Sequence, residues 1–309
     1  MVSGLSASNE QFLASLNILQ NNLSQTDEEL SSGLSVNQAS DAPQSVQDIF
    51  ETRAELGQAT TTAQNLSSIQ DQVQTADSAV QSAIQLLNQA VSYGTEGANA
   101  GTSQPAQQDL ANQVQSLESQ LVAIANTEVG GVYVFGGDTG TSPLYQVDTS
   151  SPTGVDRLVT PQQSTLQIAG PSGVTFQVSM TAQDLFDQRD VNDNPTANNA
   201  FAALNGLTQA LNSGSTSAIT QAIGVLQGAA GYVNDQTGFY GAAENNVSSA
   251  LDLAQKFETQ DQTQLGTLED ADATTLAVQA TQDSTALDAA MSAQAHQPTT
   301  TLFDYLPIS

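Results

Sequence analysis

The stretch NLSSIQDQVQTADSAVQSAIQLLNQAVSY (65–93) decides the fold. Leu66, Val73, Val80 and Leu87 recur every seven residues, and Ile69, Ala76, Ala83 and Ala90 form a companion row. Two apolar positions per heptad make a narrow stripe on a helix, the pattern of coiled-coil packing. The spacing predicts one helix from near Pro43, which suits a first turn, to about Tyr93, before Gly94. At 1.5 Å per residue it spans roughly 75 Å.

The same period continues on both sides. Upstream, Leu5, Phe12 and Leu19 lie on one seam and Leu16, Leu23 and Leu30 on the other, until Gly33 breaks the pattern. Downstream, YGTEGANAGTSQP (93–105) reads as a turn. A third helix fits Gln104 to Glu128, with Leu110, Val114, Leu117, Leu121 and Ile124 on its stripe. From Gly130 to about Asp190 the period changes. GGVYVFGG (130–137), VDRLVT (155–160), STLQIA (164–169) and VTFQVSM (174–180) read as short strands between Gly and Pro residues. Helical spacing returns near Thr196 with Phe201, Leu204, Leu207 and Leu211, and NSGS (212–215) turns the chain. One very long helix is then expected from Thr216 to Ala295. Its row is Ile219, Leu226, Val233, Tyr240, Val247, Ala254 and Leu268, with Asp261 as the lapse.

The fold class is thus mainly α, with long coiled-coil helices from both termini and a small inserted β-rich domain. Residues 1–42 and 270–309 are read as terminal helices, 43–129 and 196–269 as a helical bundle, and 130–195 as the β-rich domain. Each terminal helix carries a single narrow seam, so the pair alone is marginal or disordered and becomes stable among copies of itself. The expected assembly interface comprises Leu5, Phe12, Leu16, Leu19, Leu23 and Leu30 on the first helix and Leu276 and Leu287 on the last. To these is added the apolar plug Leu302, Phe303, Tyr305 and Leu306.

Composition excludes several functions. The 309 residues hold 4 Lys+Arg against 32 Asp+Glu, a formal charge of −28. The basic residues are Arg53, Arg157, Arg189 and Lys256. Nucleic acid binding depends on phosphate neutralisation by such residues, and so does docking to anionic membranes; neither partner is expected. With no Cys there is no disulfide, thiolate zinc site or Cys nucleophile, and with His296 as the one His there is no triad. The first ten residues carry no Lys or Arg, so an ordinary secretory signal peptide is not expected. Like-charged copies repel, so self-assembly should need salt.

Candidate chemistry is sparse. On a helix the run Asp184, Asp187, Asp190 and Asp193 brings neighbouring carboxylates together, suited to Ca²⁺ or to acid–base work; the plainer reading is a solvated connector partly neutralised by Arg189. DVNDNP (190–195) starts like a calcium loop but has Pro195 at its sixth position and Phe201 at its twelfth. GGDTGTS (136–142) lacks the Lys of a phosphate loop. His296 suits a helix C-terminus, and Gly224 with Gly228 could allow close helix approach. No catalytic, cofactor or metal site is expected.

Two segments carry a resemblance. In LSSGLSVNQASDAP (30–43), Ser32, Gly33, Asn37, Ala39, Ser40, Asp41 and Pro43 resemble the N-terminal signature of bacterial flagellins and flagellar hook-associated proteins; Ser35 and Ala42 stand where that pattern has Arg and a second Asp. In ANTEVGGVYVFGGDTGTSPLY (125–145), Asn126, Gly131, Tyr133, Phe135, Gly136, Gly137 and Pro143 are similar to the Phe-Gly-Gly stretch of the hook-associated protein 3 family, with Val132 for its Arg. The ending TLFDYL (301–306) resembles that family's ending. The resemblance implies a structural, non-enzymatic subunit without cofactor, exported unfolded by the flagellar type III apparatus and located outside the cell at the hook–filament junction. Its implied partners are copies of itself in a ring or tube, hook-associated protein 1, flagellin and an export chaperone. It implies an inner tube of terminal helices and an outward-facing β-rich domain. A filament flagellin, or a secreted binding protein with its β-rich domain on a helical stalk, are the alternatives.

Overall fold

The computed structural model describes residues 2–99, 101–159, 164 and 167–296, the side chains of 2–9 and 139 apart. Eight α-helices and three strand pairs are found among them: α1 (Val2–Ser32), α2 (Val46–Ala98), α3 (Gln104–Ala125), β1 (Glu128–Val129), β2 (Val132–Tyr133), β3 (Tyr145–Val147), β4 (Val155–Arg157), β5 (Gln167–Ala169), β6 (Thr175–Gln177), α4 (Ala182–Phe186), α5 (Ala200–Ser213), α6 (Thr216–Asp235), α7 (Thr237–Glu269) and α8 (Ala273–Ala295). The mainly helical class with small β elements is what the periodicity predicts. The chain divides into two compact units, Met1–Gln58 with Phe257–Ser309, and Ala59–Lys256.

The second unit holds the core, and the heptad rows are its substance. Leu66, Val73, Val80, Leu87, Ala83 and Ala90 of α2, Leu110, Val114 and Leu121 of α3, and Phe201, Leu204, Leu207 and Leu211 of α5 are buried. So are Ile219, Leu226 and Val233 of α6 with Tyr240, Val247 and Ala254 of α7. Local sequence sets the helix ends. Ser103, Asn199 and Ser215 cap α3, α5 and α6 by accepting an N–H of the first turn, and left-handed Gly214 ends α5.

Three boundaries of α2 and α3 differ from the sequence reading. Helix α2 starts three residues after Pro43, because Ala42 O accepts the N–H of Ser45 and of Val46 in a preceding turn. It runs through Gly94 and Gly97, where the pattern suggests a turn. There the missing side chains make room: Leu211 of α5 packs onto Gly97, and a Cβ at Gly94 would lie 2.8 Å from Ile223 Cγ1 of α6. Helix α3 stops at Ala125, because Asn126 turns its side chain to the following loop.

The expected single helix from Thr216 to Ala295 is three helices. At Gln236 the bonds tighten to three-residue spacing, Gln236 N–H to Val233 O and Phe239 N–H to Gln236 O, while the buried row passes on from Val233 to Tyr240. At 270–272 the chain pairs with the loop after α1 instead, through Leu34 opposite Asp270 and Ala271 N–H to Gly33 O. Asp272 then caps α8.

The β region is three separate antiparallel hairpins, β1–β2, β3–β4 and β5–β6, and no continuous sheet is found among the described residues. Strands of two or three residues cannot form a layer of their own, so their apolar side chains join the helical core. Gly130 and Gly131, both at positive φ, make the two-residue turn of the first hairpin. GGVYVFGG forms strand only at Val132–Tyr133, and β3 was not expected from the sequence. Positions 160, 165 and 166 of the expected strands lie outside the described residues.

Candidate assembly interface and motif sites

Helices α1 and α8 pack against each other within the first unit. Phe12, Leu16, Leu19 and Leu23 are half-buried, Leu276 is buried and Leu287 half-buried. Leu30 is 43% exposed. Leu13 and Ile18 on α1 and Val278 and Met291 on α8 are exposed as well. Pairing within one chain therefore leaves apolar side chains of both helices uncovered. Polar lapses weaken the pair. Buried Thr26 turns its hydroxyl back to Asn22 O, and Asp283 Oδ2 is buried with no partner among the described residues. The side chain of Leu5, and Leu302, Phe303, Tyr305 and Leu306, lie outside the described residues.

The signature 30–43 ties the loop after α1 to the joint between α7 and α8. Gly33, at φ +75°, ends α1. Ser32 Oγ accepts the Leu34 N–H at 3.1 Å. Ser35 gives both its N–H (2.6 Å) and its hydroxyl (3.1 Å) to Glu269 O. Asp41 Oδ2 accepts the N–H groups of Asn37 (3.0 Å) and Gln38 (2.7 Å), Ser40 Oγ reaches Asp41 Oδ1, and Asn37 Nδ2 donates to Leu34 O. Asn, Ser and Asp are needed here because they bond their own backbone. Arg53 of α2 completes the joint at 2.5 Å from Glu269 Oε2.

The second motif anchors the hairpins to the core. Asn126 Oδ1 accepts the N–H of Leu144 (2.7 Å) and Tyr145 (3.2 Å), and its Nδ2 donates to Tyr145 O (2.8 Å). Tyr133 N–H bonds Gly140 O, and Gly136 packs so closely on Gly140 that no side chain fits. Phe135 is fully buried and meets Phe186 edge-on at 5.7 Å. Its carbonyl accepts the Ala182 N–H. Tyr145 and Phe186 both pack on Phe201.

The acidic run is not a helical face, since α4 ends at Phe186. Asp184 forms a capping box with Thr181. Asp187, wholly buried, accepts from Arg189 Nε (3.0 Å), Asn199 Nδ2 (2.7 Å) and Tyr145 OH (3.2 Å). Burial and the adjoining Asp187 charge push the Tyr145 hydroxyl up. Asp190 is held below the usual carboxylate range by the N–H groups of Asn194 and Asn192. Asp193, at φ +62°, takes a two-pronged bond from Arg157. Every carboxylate of the run thus has an internal partner. Among the described residues no group of three or more His, Cys, Asp or Glu could hold a metal, and no helix is long and apolar enough to cross a membrane. His296 is the C-cap of α8, and no described residue beyond the adjoining turns of the helix lies within 4 Å of where a Cβ of Gly224 or Gly228 would be. The residues the sequence reading passed over are Asn199, Asn205 and Glu118. Glu118, a lone acid between Leu117 and Leu121 of the α3 stripe, was the one visible signal.

Residues 5–139 match the family model of the bacterial flagellin N-terminal helical region. No curated protein matches the sequence. Among solved structures, a protein assigned as a flagellar hook-associated protein from Vibrio parahaemolyticus is similar at TM-score 0.62 and 14% identity, over 74% of this chain and 99% of that one. The FlgL protein of Xanthomonas campestris gives 0.55 and 13%, over 70% and 99%. The flagellar junction protein FlgL of Legionella pneumophila gives 0.54 and 12%, over 65% and 99%. Over residues 5–139 the chain is thus similar to the bacterial flagellin N-terminal helical region, and its fold is similar to that of the solved flagellar hook-associated and junction proteins.

Proposed function

We propose that this chain is a structural, non-enzymatic subunit that joins the flagellar hook to the flagellin filament. The observation that carries the reading is the fold, shared with a protein solved as a flagellar junction protein over 99% of that protein's length. The uncovered apolar residues of α1 and α8 supply the physical reason to assemble: copies bury what one chain leaves exposed. In this reading Phe12, Leu16, Leu19, Leu23, Leu30, Leu276 and Leu287 pack between subunits, with Leu5 and the 302–306 segment. Residues 1–42 and 270–309 line an inner tube, 43–129 with 196–269 form the shell around it, and 130–195 faces outward. Its partners are further copies, hook-associated protein 1 and flagellin, with an export chaperone before secretion by the type III route.

Deletion of the gene tests this, with electron microscopy of the cells and an assay of the medium for flagellin. Hooks without filaments and flagellin spilled into the medium are expected. Bare hooks with no major flagellin anywhere would make this chain the filament itself, and intact filaments would overturn both readings in favour of a stalked binding protein.

A further inference from the structure

The strongest unused chemistry lies under the turn that joins β3 to β4. Glu118 of α3 is 2% exposed, and its Oε1 finds no hydrogen-bond partner among the described residues. The carboxyl lies where a Cβ of residue 154 would be, so Gly154, at φ +76°, is the only residue type the position accepts without displacement. No donor of the turn reaches Oε1 among the described residues, and three of its N–H groups are used in its own bonds. Ser151 N–H goes to Asp148 O, Gly154 N–H to Ser151 O and Asp148 N–H to Gly154 O. Asn205 of α5 draws the turn in by donating Nδ2 to the carbonyls of Pro152 (3.0 Å) and Ser151 (3.4 Å).

We propose that Glu118 is a proton-operated latch: neutral, it lets the 148–154 turn close on α3, and ionised, it pushes the turn out to reach water. A buried carboxylate whose Oε1 has no donor and which has no counter-charge among the described residues costs far more than a carboxylic acid in the same place. The described surroundings supply no counter-charge. Helix α5 has no ionisable residue, and Asp109 is the other acid of α3, nine positions away. On the hairpin, Asp148 is taken by Ser150, Asp156 by Gln146, Arg157 by Asp193 and Gln183, and the Tyr145 hydroxyl by Asp187. On α2 the acids of this unit are Asp71, Asp77 and Glu96. Burial alone lifts the Glu118 carboxyl to about 7, which sets the latch near neutral pH. The inference is independent of the junction reading.

Hydrogen exchange of the full chain from pH 5.5 to 8.5, corrected for the intrinsic pH dependence of amide exchange, tests the latch. Protection of the Ser151 and Gly154 amides should fall by up to ~10-fold per pH unit above the midpoint, while α5 and α6 hold theirs. In Glu118→Gln the fall should vanish. A wild-type profile flat with pH, or an equal fall in the variant, overturns the proposal. The ¹³C shift of the Glu118 carboxyl in the wild-type chain is a second measurement that needs no variant: a midpoint near 7 supports the latch, and one near the ordinary 4.5 ends it.

Discussion

Replacement of Arg189 by Met should unfold the second unit far more readily than its partly solvated position suggests. Asp187 is fully buried and has Arg189 as its one cationic partner among the described residues, at 3.0 Å from both oxygens. Without the guanidinium, the carboxylate keeps only Asn199 Nδ2 and the Tyr145 hydroxyl, two neutral donors. Removing one member of a buried pair costs about 3–5 kcal/mol, because the other charge stays uncompensated. The two neutral donors put the expected loss at the lower end, ~3 kcal/mol. Asp187→Asn leaves a cation that still faces Asp193, 3.8 Å from Nη1, so its cost should be smaller. The double variant should then be less damaged than the sum of the singles, by more than ~1 kcal/mol. Urea titration followed by far-UV circular dichroism measures all four proteins. A loss under ~1 kcal/mol in Arg189→Met, or strict additivity in the cycle, would refute the claim that this pair is coupled and buried. The same titrations with and without Ca²⁺ should superimpose, since each acid from Asp184 to Asp193 already has a protein partner.

Glu118 gives a pH prediction with a defined sign. Its folded value of about 7 lies above the ordinary 4.5, so its stabilising effect is complete below about 4.5 and is lost as pH rises through 7. The difference between wild type and Glu118→Gln should therefore change by up to ~3 kcal/mol across that window and level off above it. Gly97→Ala should destabilise by ~1–3 kcal/mol through overlap with Leu211. Gly224→Ala, on an open helix surface, should stabilise by ~0.5–1 kcal/mol; equal effects in the two thermal melts would contradict the packing described. Association of purified protein, followed by light scattering, should rise as salt approaches ~0.1 M, where the screening length is ~10 Å. Tight association at very low ionic strength would contradict it.

Helices and core were legible because burial imposes a period that residues must obey. Val73, Val80 and Leu87, or Ile219 through Ala254, could be named as core from spacing alone. What escaped depended on contacts distant in sequence. Gly94 and Gly97 look like helix breakers until Ile223 and Leu211 are seen filling the space above them. The joint at 270–272 looks like continuous helix until the 33–35 loop arrives to pair with it. The acidic run shows the same limit: a spacing of three implies a shared face only if the helix persists, and α4 lasts five residues. The motifs were visible as residue types, but their reasons were not. Asn126 and Asp41 are required by the backbone groups they bond, and those lie in turns whose shape no local pattern announces.

The charge distribution bears on how such a chain can associate. The ion pairs among the described residues use Arg53, Arg157 and Arg189, each held by a carboxylate of its own chain. Cations committed in this way cannot pair with the acids of a neighbour. With Lys256 as the one remaining Lys or Arg against 32 acids, two copies at −28 each meet with net repulsion, and electrostatics opposes their approach until salt screens it. The attraction must come from apolar area, at ~25 cal/mol per Å² removed from water. Exposed Leu13, Ile18, Val278 and Met291 on α1 and α8 provide such area in one unit. A few scattered residues yield little per contact, so one pair of subunits gains too little to hold. Repetition around a ring multiplies the gain, while added salt lowers the opposing term. Chains of this composition are thus suited to stay apart in dilution and to join a growing end where many seams are presented together.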